Sequence, residues 1–572
     1  MSFNFNLCIG GQQGEGIASL GKILSLALNE YGYYVYGYRN FSSRIKGGPT
    51  SYYLRISNEI IESSVRNIDL LLAFDQEAID NHTHLLTENT IIITEQNFKA
   101  NLPSKYIHYS FPFEEKGIKL GNKIHSNMVA LGVISIIMSV PLDFISSQIK
   151  KQFSNKARTI RDLNLKSFDV GKNLSINIPK LKFPKPTKIK NTMVLSGNNA
   201  ISLGLIAGGC RLMAAYPITP ASEIMELMAK NLPSLGGTII QAEDEIAAIT
   251  MAIGSSYAGM RSVTATSGPG LSLMGEAISL SGMTEIPIVI IDVQRAGPST
   301  GMPTKQEQSD LDCALYSGHG EFPRIVLSPG NPEECFYDGI HSLNLADKYQ
   351  CPVIILSDLQ LGLSEYSSKI PSYNSIGIDR GKIVSQEILD KRDESESYFP
   401  RYNITEDGIS PRTLPGQRKG LFYTTGVEHN ELGYTDTSPK TRIKMIDKRM
   451  KKLNNIELEN SFNYNNKNSK ILLIGYGSTK GILDEIFKNK DKSVDTIQLR
   501  VLSPFPKDSL NNILQKYKNI IFIENNFSNQ LYNLFCRYLK MDQRIDIFNK
   551  YDGTLINIDE IKSFIERSVN ND

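Results

Sequence analysis

Residues that could bind a small anionic ligand or move a proton are concentrated between Met213 and Asp310. Four apolar runs in this stretch are each followed by a turn rich in glycine, proline, hydroxyl or acidic side chains. The turns are YPITPAS (216–222), AEDEIAA (242–248), TSGPG (266–270) and QRAGPSTGMPT (294–304). In a parallel α/β sheet, the loops that follow the strands gather around a ligand at one edge. We therefore predict that these four turns form an active-site wall.

The second turn supplies three candidate acids, Glu243, Asp244 and Glu245. A buried carboxylate can hold or transfer a proton, whereas acids that begin a helix often only stabilise its N-terminus. The second explanation suits Glu243 and Asp244. Glu245 heads an apolar stripe within residues 248–252, which favours a position on the buried face of the helix. Periodicity alone does not choose among the three acids.

Arg295 follows the apolar run IPIVIIDVQ and precedes Gly297 and Pro298. An arginine at the end of a strand can be merely exposed, but at the crevice of a parallel sheet its planar fork suits a carboxylate. Thr219 and Thr304 each adjoin a proline. They could orient a substrate or simply complete a turn.

Composition excludes several classes of protein. The 572 residues include 62 basic and 60 acidic side chains, a net charge of +2, so no overall field favours nucleic acid or an anionic membrane. The six cysteines contain no CxxC pair, which argues against a disulfide framework or an iron–sulfur binding run. We expect them to be buried free thiols.

Two features bear on location. The longest strongly apolar segment, Met128–Val140, ends before Pro141 and is shorter than the roughly 18 residues of a membrane span, so it predicts a core helix. The N-terminus enters a strand-like run without a basic segment or cleavage site. These features predict a cytoplasmic protein.

Apolar runs and breakers divide the chain into five parts. Residues 1–175 alternate strands and helices, as in a Rossmann-like domain, and begin with a glycine-rich turn before a helix at Ile17–Tyr31. Residues 176–190 alternate proline and lysine, which predicts an extended linker. Residues 191–370 predict a parallel sheet covered on both faces. Residues 371–468 form a polar connecting region, and residues 469–572 form a last α/β domain.

Together, YPITP and QRAGPSTGMPT resemble the α subunit of 2-oxoacid:ferredoxin oxidoreductases, and the resemblance extends through almost the whole chain. It implies a γ-type domain at 1–175, a domain at 191–370 that binds the pyrimidine ring of thiamine diphosphate, and a transketolase C-terminal-like domain at 469–572. The γ-first order resembles enzymes that act on 2-oxoglutarate or on a broad range of 2-oxoacids. The implied reaction is oxidative decarboxylation with coenzyme A, giving acyl-CoA, carbon dioxide and reduced ferredoxin.

The resemblance also implies site residues. Glu245 matches the catalytic glutamate that meets the pyrimidine ring. Substrate binding is implied for Arg295, Thr219, Thr304 and Lys46, the last in the loop SSRIKGGPT. Cofactor binding is implied for Pro217, Ile218, Ser267 and Gly268.

Partners follow from what the chain lacks. Family members bind the diphosphate through magnesium and a GDG segment, which does not occur in this sequence. The resemblance therefore implies a β subunit that shares the thiamine diphosphate and supplies Mg²⁺ and the [4Fe–4S] cluster. It further implies ferredoxin as electron acceptor, 2-oxoacid and coenzyme A as substrates, and a heterodimer or dimer of heterodimers.

Two other functions remain open. The turn containing Gly11, Gly14 and Gly16 could serve an NAD(P)-linked dehydrogenase, although its spacing is GxxGxG and no ribose-binding acid follows it. The chain could also be a non-catalytic scaffold subunit. Burying both Glu245 and Arg295 without a use for them would be costly, which disfavours a scaffold.

Overall fold

The computed structural model describes residues 3–42, 47–186, 191–372, 376–393, 397–454, 456–489 and 494–570. Its strands are β1 (Asn4–Gln12), β2 (Tyr34–Phe41), β3 (Pro49–Ser57), β4 (Ile68–Ala73), β5 (Leu86–Glu95), β6 (Ile107–Phe111), β7 (Thr192–Leu195), β8 (Leu212–Ala215), β9 (Thr238–Gln241), β10 (Ser262–Thr266), β11 (Ile288–Gln294), β12 (Ile325–Leu327), β13 (Pro352–Asp358), β14 (Glu365–Lys369), β15 (Phe462–Asn465), β16 (Ile471–Tyr476), β17 (Asp495–Leu499), β18 (Val501–Ser503), β19 (Asn519–Glu524) and β20 (Arg544–Asn549). Its α-helices are α1 (Ile17–Tyr31), α2 (Gln76–Asp80), α3 (Phe113–Lys119), α4 (Ser126–Ile137), α5 (Leu142–Gln152), α6 (Arg158–Leu174), α7 (Gly197–Ala207), α8 (Ser222–Asn231), α9 (Glu245–Tyr257), α10 (Gly268–Leu273), α11 (Gly275–Thr284), α12 (Leu311–Tyr316), α13 (Pro332–Tyr349), α14 (Leu359–Leu363), α15 (Gln386–Asp390), α16 (Pro439–Lys451), α17 (Lys480–Lys488), α18 (Lys507–Leu514), α19 (Gln530–Tyr538) and α20 (Ile558–Asn570). The multidomain α/β class predicted from the apolar runs is confirmed.

The chain divides into two compact units. The first contains Met1–Ser196, Leu363–Ile370 and Leu555–Asp572, and the second contains Gly197–Gly362 and Pro371–Thr554. Each unit therefore combines stretches that are distant in sequence.

The first unit is built on one sheet, whose described strands follow the order β6-β5-β4-β1-β3-β2-β14-β7. Neighbours from β6 to β1 are parallel, as in a Rossmann-like domain. Neighbours from β1 to β7 are antiparallel. Only seven residues, 42–48, separate β2 from β3. A parallel crossover needs about a dozen or more, so these two strands can pair only in opposite directions.

The glycine-rich turn of the first unit is determined by backbone geometry. Gly14 and Gly16 have φ of 98° and 81°, in the left-handed region that favours glycine. A Cβ on Gly16 would also lie 2.1 Å from Nδ2 of Asn127. The following helix α1 occupies Ile17–Tyr31, as predicted.

The proline and lysine segment packs against the first unit through its apolar side chains. The Phe183 ring packs at a tilt against the Phe5 ring, with ring centroids 4.9 Å apart, and the Tyr33 hydroxyl donates to the Pro184 carbonyl at 2.6 Å. The backbone N–H of Leu181 donates to the Ile137 carbonyl at 2.7 Å. The lysines at 180, 182 and 185 are exposed to solvent.

The second unit contains the sheet that positions the predicted site. Its described strands follow the order β18-β12-β13-β11-β10-β8-β9. All neighbours from β12 to β9 are parallel, and only β18 is antiparallel to its neighbour. The central strands β11 and β13 are buried at every residue, which explains their continuous apolar sequences.

A second sheet of this unit, in the order β15-β17-β16-β19-β20, shares its core with the first. Apolar residues of α9, α10 and α11 form one buried cluster with those of β16, β19 and α19. The last α/β region therefore packs against one face of the sheet that positions the predicted site.

Charged residues of the connecting region form buried ion pairs within the second unit. Glu285, at the end of α11, pairs with Lys448 at 2.6 Å and with Lys452 at 2.5 Å, and all three side chains are fully buried. Burial alone would raise the pKa of Glu285, but the two lysines and Arg401 hold it below its ordinary value. These pairs attach α16 to α11.

No helix within the described ranges is both long and apolar enough to span a membrane. The core helix predicted at Met128–Val140 is α4, which is buried along most of its length. The cysteines are free thiols, and four are buried. The expectation of burial is wrong for Cys536, which is exposed, and Cys313 is only partly buried.

Candidate active site

The four predicted turns lie at one edge of the parallel sheet of the second unit. They follow β8, β9, β10 and β11, which are neighbours in the sheet. Because these strands are parallel, their carboxyl ends point to the same edge. The edge therefore carries the residues proposed for chemistry from four separate stretches of sequence.

The structure distinguishes the three acids of the second turn. Glu243 is exposed, and Asp244 is the N-cap of α9, its Oδ1 accepting from the Ala247 N–H at 2.8 Å. Glu245 is the first residue of α9 and is only 6% exposed. Within the described ranges, no protein group donates a hydrogen bond to its carboxylate. Glu245 is therefore the acid that is available to an external donor.

Glycine makes room for this carboxylate. A Cβ on Gly270 would lie 2.8 Å from Oε1 of Glu245 and 2.0 Å from Oγ1 of Thr266. Since real Cβ atoms do not approach so closely, only glycine allows the third turn to pass beside Glu245. The ends of β10 and α9 thereby form one surface.

Arg295 joins the first and fourth turns. Its Nη1 donates to the Thr219 carbonyl at 2.7 Å, and the residue is only 7% exposed. Burial lowers the pKa of Arg295, and nearby Asp310 opposes this effect. Asn198 of α7 also stabilises the first turn, because its Nδ2 donates to the Pro220 carbonyl at 2.9 Å. The guanidinium is thus fixed at the crevice.

The fourth turn closes on itself. The Met302 N–H donates to the Ala296 carbonyl at 2.9 Å, and the Ala296 N–H donates to the Lys305 carbonyl at 3.1 Å. Thr304 is half-buried in the returning limb of this loop. The role of Thr304 in substrate binding stays a prediction.

The residues predicted to bind cofactor line the first and third turns. Pro217 and Ile218 are half-buried, and the Ile218 carbonyl accepts from Ala221 at 2.8 Å to begin the turn into α8. Ser267 is fully buried, and its Oγ has no hydrogen-bond partner among the described residues. Gly268 follows it and begins α10. Lys46, the remaining predicted contact, lies outside the described residues.

Sequence reasoning missed two acids of this site. Asp292 is fully buried in β11, and Asp310 precedes α12. A Cβ on Gly268 would lie 2.6 Å from both carboxylate oxygens of Asp310. The available signal was an aspartate inside the apolar run IPIVIIDVQ, because an acid seldom occupies a strand that is buried on both faces.

The described residues contain no group of three or more His, Cys, Asp or Glu side chains suited to a metal ion. The acids of the loop GVEHNELG have other partners. Glu428 pairs with Arg442 and Arg449, and Oε1 of Glu431 accepts from the Ile404 N–H at 2.8 Å. Both acids of this loop are therefore paired with protein groups.

Family models match most of the chain. Residues 203–448 match the thiamine diphosphate-binding model of pyruvate flavodoxin/ferredoxin oxidoreductases. Residues 6–174 match the pyruvate ferredoxin/flavodoxin oxidoreductase model, and residues 469–561 match core domain II of pyruvate:ferredoxin oxidoreductase. The four turns lie within the first of these matches.

Relatives resemble the chain along nearly its whole length. The 2-oxoacid:ferredoxin oxidoreductase α subunit of Saccharolobus solfataricus is 35% identical, covering 98% of this chain and 97% of that protein. The chain belongs to the family of 2-oxoacid:ferredoxin oxidoreductase α subunits. The α subunit from a Sulfolobus species is 34% identical over 97% of this chain and 95% of its own length.

A solved member of this family has the same fold. It is the 2-oxoglutarate:ferredoxin oxidoreductase from Magnetococcus marinus, with 2-oxoglutarate, coenzyme A and succinyl-CoA bound. It has a TM-score of 0.90 and 32% identity, and the match covers 99% of both chains. The family and fold predicted from the motifs are thus confirmed, and this chain is a subunit of an oxidoreductase.

The side chains present fit the pyrimidine end of thiamine diphosphate. That ring requires a carboxylic acid at its N1′ atom, and Glu245 is a buried carboxylate without a protein donor in the described chain. Gly270 of the third turn lies against this side chain and has no Cβ that would displace it. The donor set thus agrees with the family's cofactor.

Proposed function

We propose that this chain, with a β subunit, oxidatively decarboxylates 2-oxoglutarate or a related 2-oxoacid with coenzyme A. The products are acyl-CoA, carbon dioxide and reduced ferredoxin. The observation that carries the proposal is the buried Glu245 carboxylate, which shares one sheet edge with the fixed guanidinium of Arg295. A proton-handling acid and an anion-binding fork are the two groups that this chemistry needs from the chain.

Glu245 would bind the cofactor's pyrimidine ring and control a proton at its N1′ atom. When bound, thiamine diphosphate supplies the nucleophilic carbon and the electron sink for loss of carbon dioxide. Pro217, Ile218, Ser267 and Gly268 would line the cofactor wall. Glu245 is only 6% exposed, which limits the access of bulk water to its side chain.

Arg295 would hold the substrate carboxylate. Its Nη1 is already committed to the Thr219 carbonyl, so the remaining N–H groups are free to face the crevice or its acids. Thr219 and Thr304 would orient the 2-oxo group through their hydroxyls, and Lys46 would contact a second acidic group of the substrate. A dicarboxylic 2-oxoacid such as 2-oxoglutarate offers an anion to each basic residue.

The β subunit would supply Mg²⁺, the diphosphate site and a [4Fe–4S] cluster that passes electrons to ferredoxin. The outer face of α9 supports such a partner. Residues 246–260 contain no charged side chain, yet Ile246 is 50% exposed and Met251 is 39% exposed. On the same helix, Gly254 faces open space, although glycine costs about 1 kcal/mol relative to alanine inside a helix. An exposed, uncharged helix face next to Glu245 is typical of a protein–protein interface, and a second subunit that binds there could complete the site.

The experiment compares the chain alone with the chain co-expressed with its β subunit. Coenzyme A-dependent release of carbon dioxide from 2-oxoglutarate and pyruvate is measured with a low-potential dye as acceptor. We expect activity only in the complex, and we expect Glu245→Gln to lower kcat by about 10²- to 10⁴-fold. Glu243→Gln, which changes the exposed acid two residues earlier, is the matched control.

Full activity of the Glu245→Gln complex would refute the proposed role of this acid. Activity of the isolated chain would refute the divided site. A complex that binds cofactor and contains its cluster but releases no carbon dioxide from either substrate would refute the proposed reaction.

A further inference from the structure

The returning limb of the fourth turn, residues 303–310, lies outside the helices and strands of the described chain. Its backbone N–H and carbonyl groups therefore have no partners within a regular element, and buried backbone groups need partners to offset the loss of water. Gln306 and Gln308, both in this limb, are at most 1% exposed. The residues that hydrogen-bond to these two glutamines determine where the limb lies.

Gln308 has partners at its backbone and at its side chain. Its N–H donates to the Asn525 carbonyl at 2.7 Å, and its Nε2 donates to Oδ2 of Asp358 at 2.8 Å. Its carbonyl accepts from Nδ2 of Asn526 at 3.2 Å and from the Tyr476 hydroxyl at 3.0 Å. Asp358 ends β13, whereas the other three partners belong to the last α/β region, which covers residues 469–554 of the second unit. Most of the contacts of Gln308 therefore come from outside the sheet that positions the site.

A second acceptor fixes the orientation of the Asn526 amide. Its Nδ2 also donates to Oε2 of Glu524 at 2.8 Å, and both residues are fully buried. An amide nitrogen carries two hydrogens, so one is used on the Glu524 carboxylate and the other on the Gln308 carbonyl. The amide cannot turn away from the limb without losing two buried hydrogen bonds.

Gln530, the first residue of α19, contacts the limb after Gln308. Its Nε2 donates to the Ser309 carbonyl at 2.9 Å, and its Oε1 accepts from the Asp312 N–H at 3.2 Å. Gln530 is only 7% exposed. One side chain thus joins the end of the limb and the first turn of α12 to α19.

Gly553 contacts the limb before Gln308. Its carbonyl accepts from the Gln306 N–H at 3.3 Å. Gly553 has a φ of 78°, in the left-handed region, and a Cβ there would lie 2.3 Å from Cε of Met302. Both conditions favour glycine. The last α/β region therefore reaches the limb at Gln306 as well as at its far end.

The limb is joined to the proposed substrate-binding residues by one backbone hydrogen bond. The Ala296 N–H donates to the Lys305 carbonyl at 3.1 Å. Ala296 follows Arg295 in the chain, and Lys305 follows Thr304. Each substrate-binding residue is thus the neighbour of one member of a bonded pair, so a shift of the limb moves both.

We propose that the last α/β region positions the substrate-binding residues, with Asn526 and Gln530 as positioning residues that act through the returning limb on Arg295 and Thr304. This role rests on the proposed function, because it requires that Arg295 and Thr304 bind the 2-oxoacid. It gives the region a part in substrate binding although its own residues supply none of the proposed substrate contacts.

The kinetic test uses the full-length chain in complex with its β subunit. Asn526→Asp keeps the size of the side chain but replaces the donor Nδ2 with an acceptor that faces Glu524 and the Gln308 carbonyl. We expect the KM for 2-oxoacid to rise at least about fivefold, because buried polar groups are left without a donor. The change in kcat should be smaller, since the loss is one of substrate binding.

Gln530→Glu is a second, independent variant. It keeps the acceptor for the Asp312 N–H and removes only the donor to the Ser309 carbonyl. We expect KM to rise again, by less than in the Asn526 variant. If Asn526→Asp does not fold, Gln530→Glu alone decides the outcome.

Asn465→Asp is the matched control. Asn465 lies on the edge strand β15 of the last α/β region, and its Nδ2 donates to Oδ1 of Asp484 and to Oγ1 of Thr496, both at 3.1 Å. The change thus also places an acceptor against a carboxylate, but within the last α/β region alone. It should lower the Tm and leave KM unchanged. Equal rises of KM in Asn465→Asp and Asn526→Asp would show a general loss of structure and overturn the positioning role.

Hydrogen–deuterium exchange of the same complexes tests the contact without turnover. In Asn526→Asp, the amides of residues 303–312 should exchange at least about fivefold faster than in the wild type, because the limb opens more often. In Asn465→Asp, the same amides should exchange as in the wild type. Unchanged exchange in both Asn526→Asp and Gln530→Glu would overturn the inference.

Faster exchange with an unchanged KM would also overturn it, because the limb would then not position the substrate-binding residues. A wild-type complex that turns over no 2-oxoacid would refute the proposed function and the positioning role with it. The exchange measurement would in that case still decide whether the last α/β region fixes the limb.

Discussion

Gly270 passes beside Glu245 so closely that a Cβ on the glycine would lie 2.6 Å from Cγ of the acid. The contact joins the turn after β10 to the first residue of α9. These two elements meet because β10 and β9, the strands that precede them, both pair with β8 in parallel and end at the same sheet edge. The space available to the proposed catalytic acid is thus determined by the size of one residue on another turn.

Gly270→Ala should therefore impair catalysis without unfolding the chain. The new methyl group would displace the Glu245 side chain and Oγ1 of Thr266, and misplacement by about 1 Å can cost roughly 100-fold in rate. We expect kcat to fall by at least about tenfold, as measured by carbon dioxide release in the complex. Gly377→Ala is the control, because a Cβ there meets no atom within 4 Å. Unchanged kcat in Gly270→Ala would contradict the proposed use of Glu245.

Arg295→Lys should raise the KM for 2-oxoacid more than it lowers kcat. Lysine keeps the charge but cannot donate to the Thr219 carbonyl and bind a carboxylate with a planar fork at the same time. Loss of one charge-assisted hydrogen bond, worth about 1.5 to 3 kcal/mol, corresponds to roughly a 10- to 150-fold change in KM. Steady-state kinetics of the complex measure this change. A KM equal to that of the wild type would place substrate binding elsewhere.

Much of this arrangement could be predicted from sequence. The predictions succeed where the local sequence pattern favours the same structure as the packing of the folded chain. The bounds of α1 follow from a glycine turn and an apolar face, and β9 occupies Thr238–Gln241 as its apolar run predicts. The stripe at residues 248–252 agrees with the burial of Glu245, although periodicity alone does not choose it over Glu243 and Asp244. These features depend on neighbours a few residues away.

Features that depend on the pairing of residues distant in sequence could not be predicted from the sequence. β7 and β14 pair with each other, and β14 also pairs with β2 of the first unit, although all the strands from β8 to β13 lie between β7 and β14 in the sequence. Asp292 and Asp310 lie on different elements, and their electrostatic coupling appears only when β11 and the segment before α12 are assembled. The continuous apolar run around Asp292 indicates that this residue is buried, but it does not indicate which charged residue lies near it.

Asp310→Asn should stabilise the chain as pH rises toward 7. A folded-state pKa raised from 3.8 to about 7 means that the folded protein binds the proton more tightly than the unfolded chain. Wild-type stability contributed by this group is therefore present below pH 4 and is lost as pH rises through 7. The Tm difference between the Asp310→Asn variant and wild type should grow from pH 5 to pH 7 and remain constant above it. Equal Tm values at pH 8 would contradict the raised pKa.

Glu285→Gln should destabilise the second unit. The change leaves Lys448 and Lys452 fully buried without their carboxylate, and breaking a buried ion pair on one side costs about 3 to 5 kcal/mol. Urea unfolding followed by circular dichroism measures the loss. Glu276→Gln, on the exposed side of the same helix α11, should change stability by less than about 0.5 kcal/mol. Equal stabilities of the two variants would contradict the proposed attachment of α16.

Met251→Glu should weaken association with the β subunit without unfolding this chain. Met251 is 39% exposed on the uncharged face of α9, so a carboxylate there can reach solvent in the free chain. If the face is covered by the partner, the new charge is buried without a counter-charge, and we expect the Kd of the complex to rise by at least about tenfold. Met260→Glu is the matched control, because Met260 is 43% exposed and lies before β10, at the opposite end of that strand from the site. Sedimentation of each variant with the β subunit measures the Kd, and equal losses in both variants would show that α9 is not the specific contact.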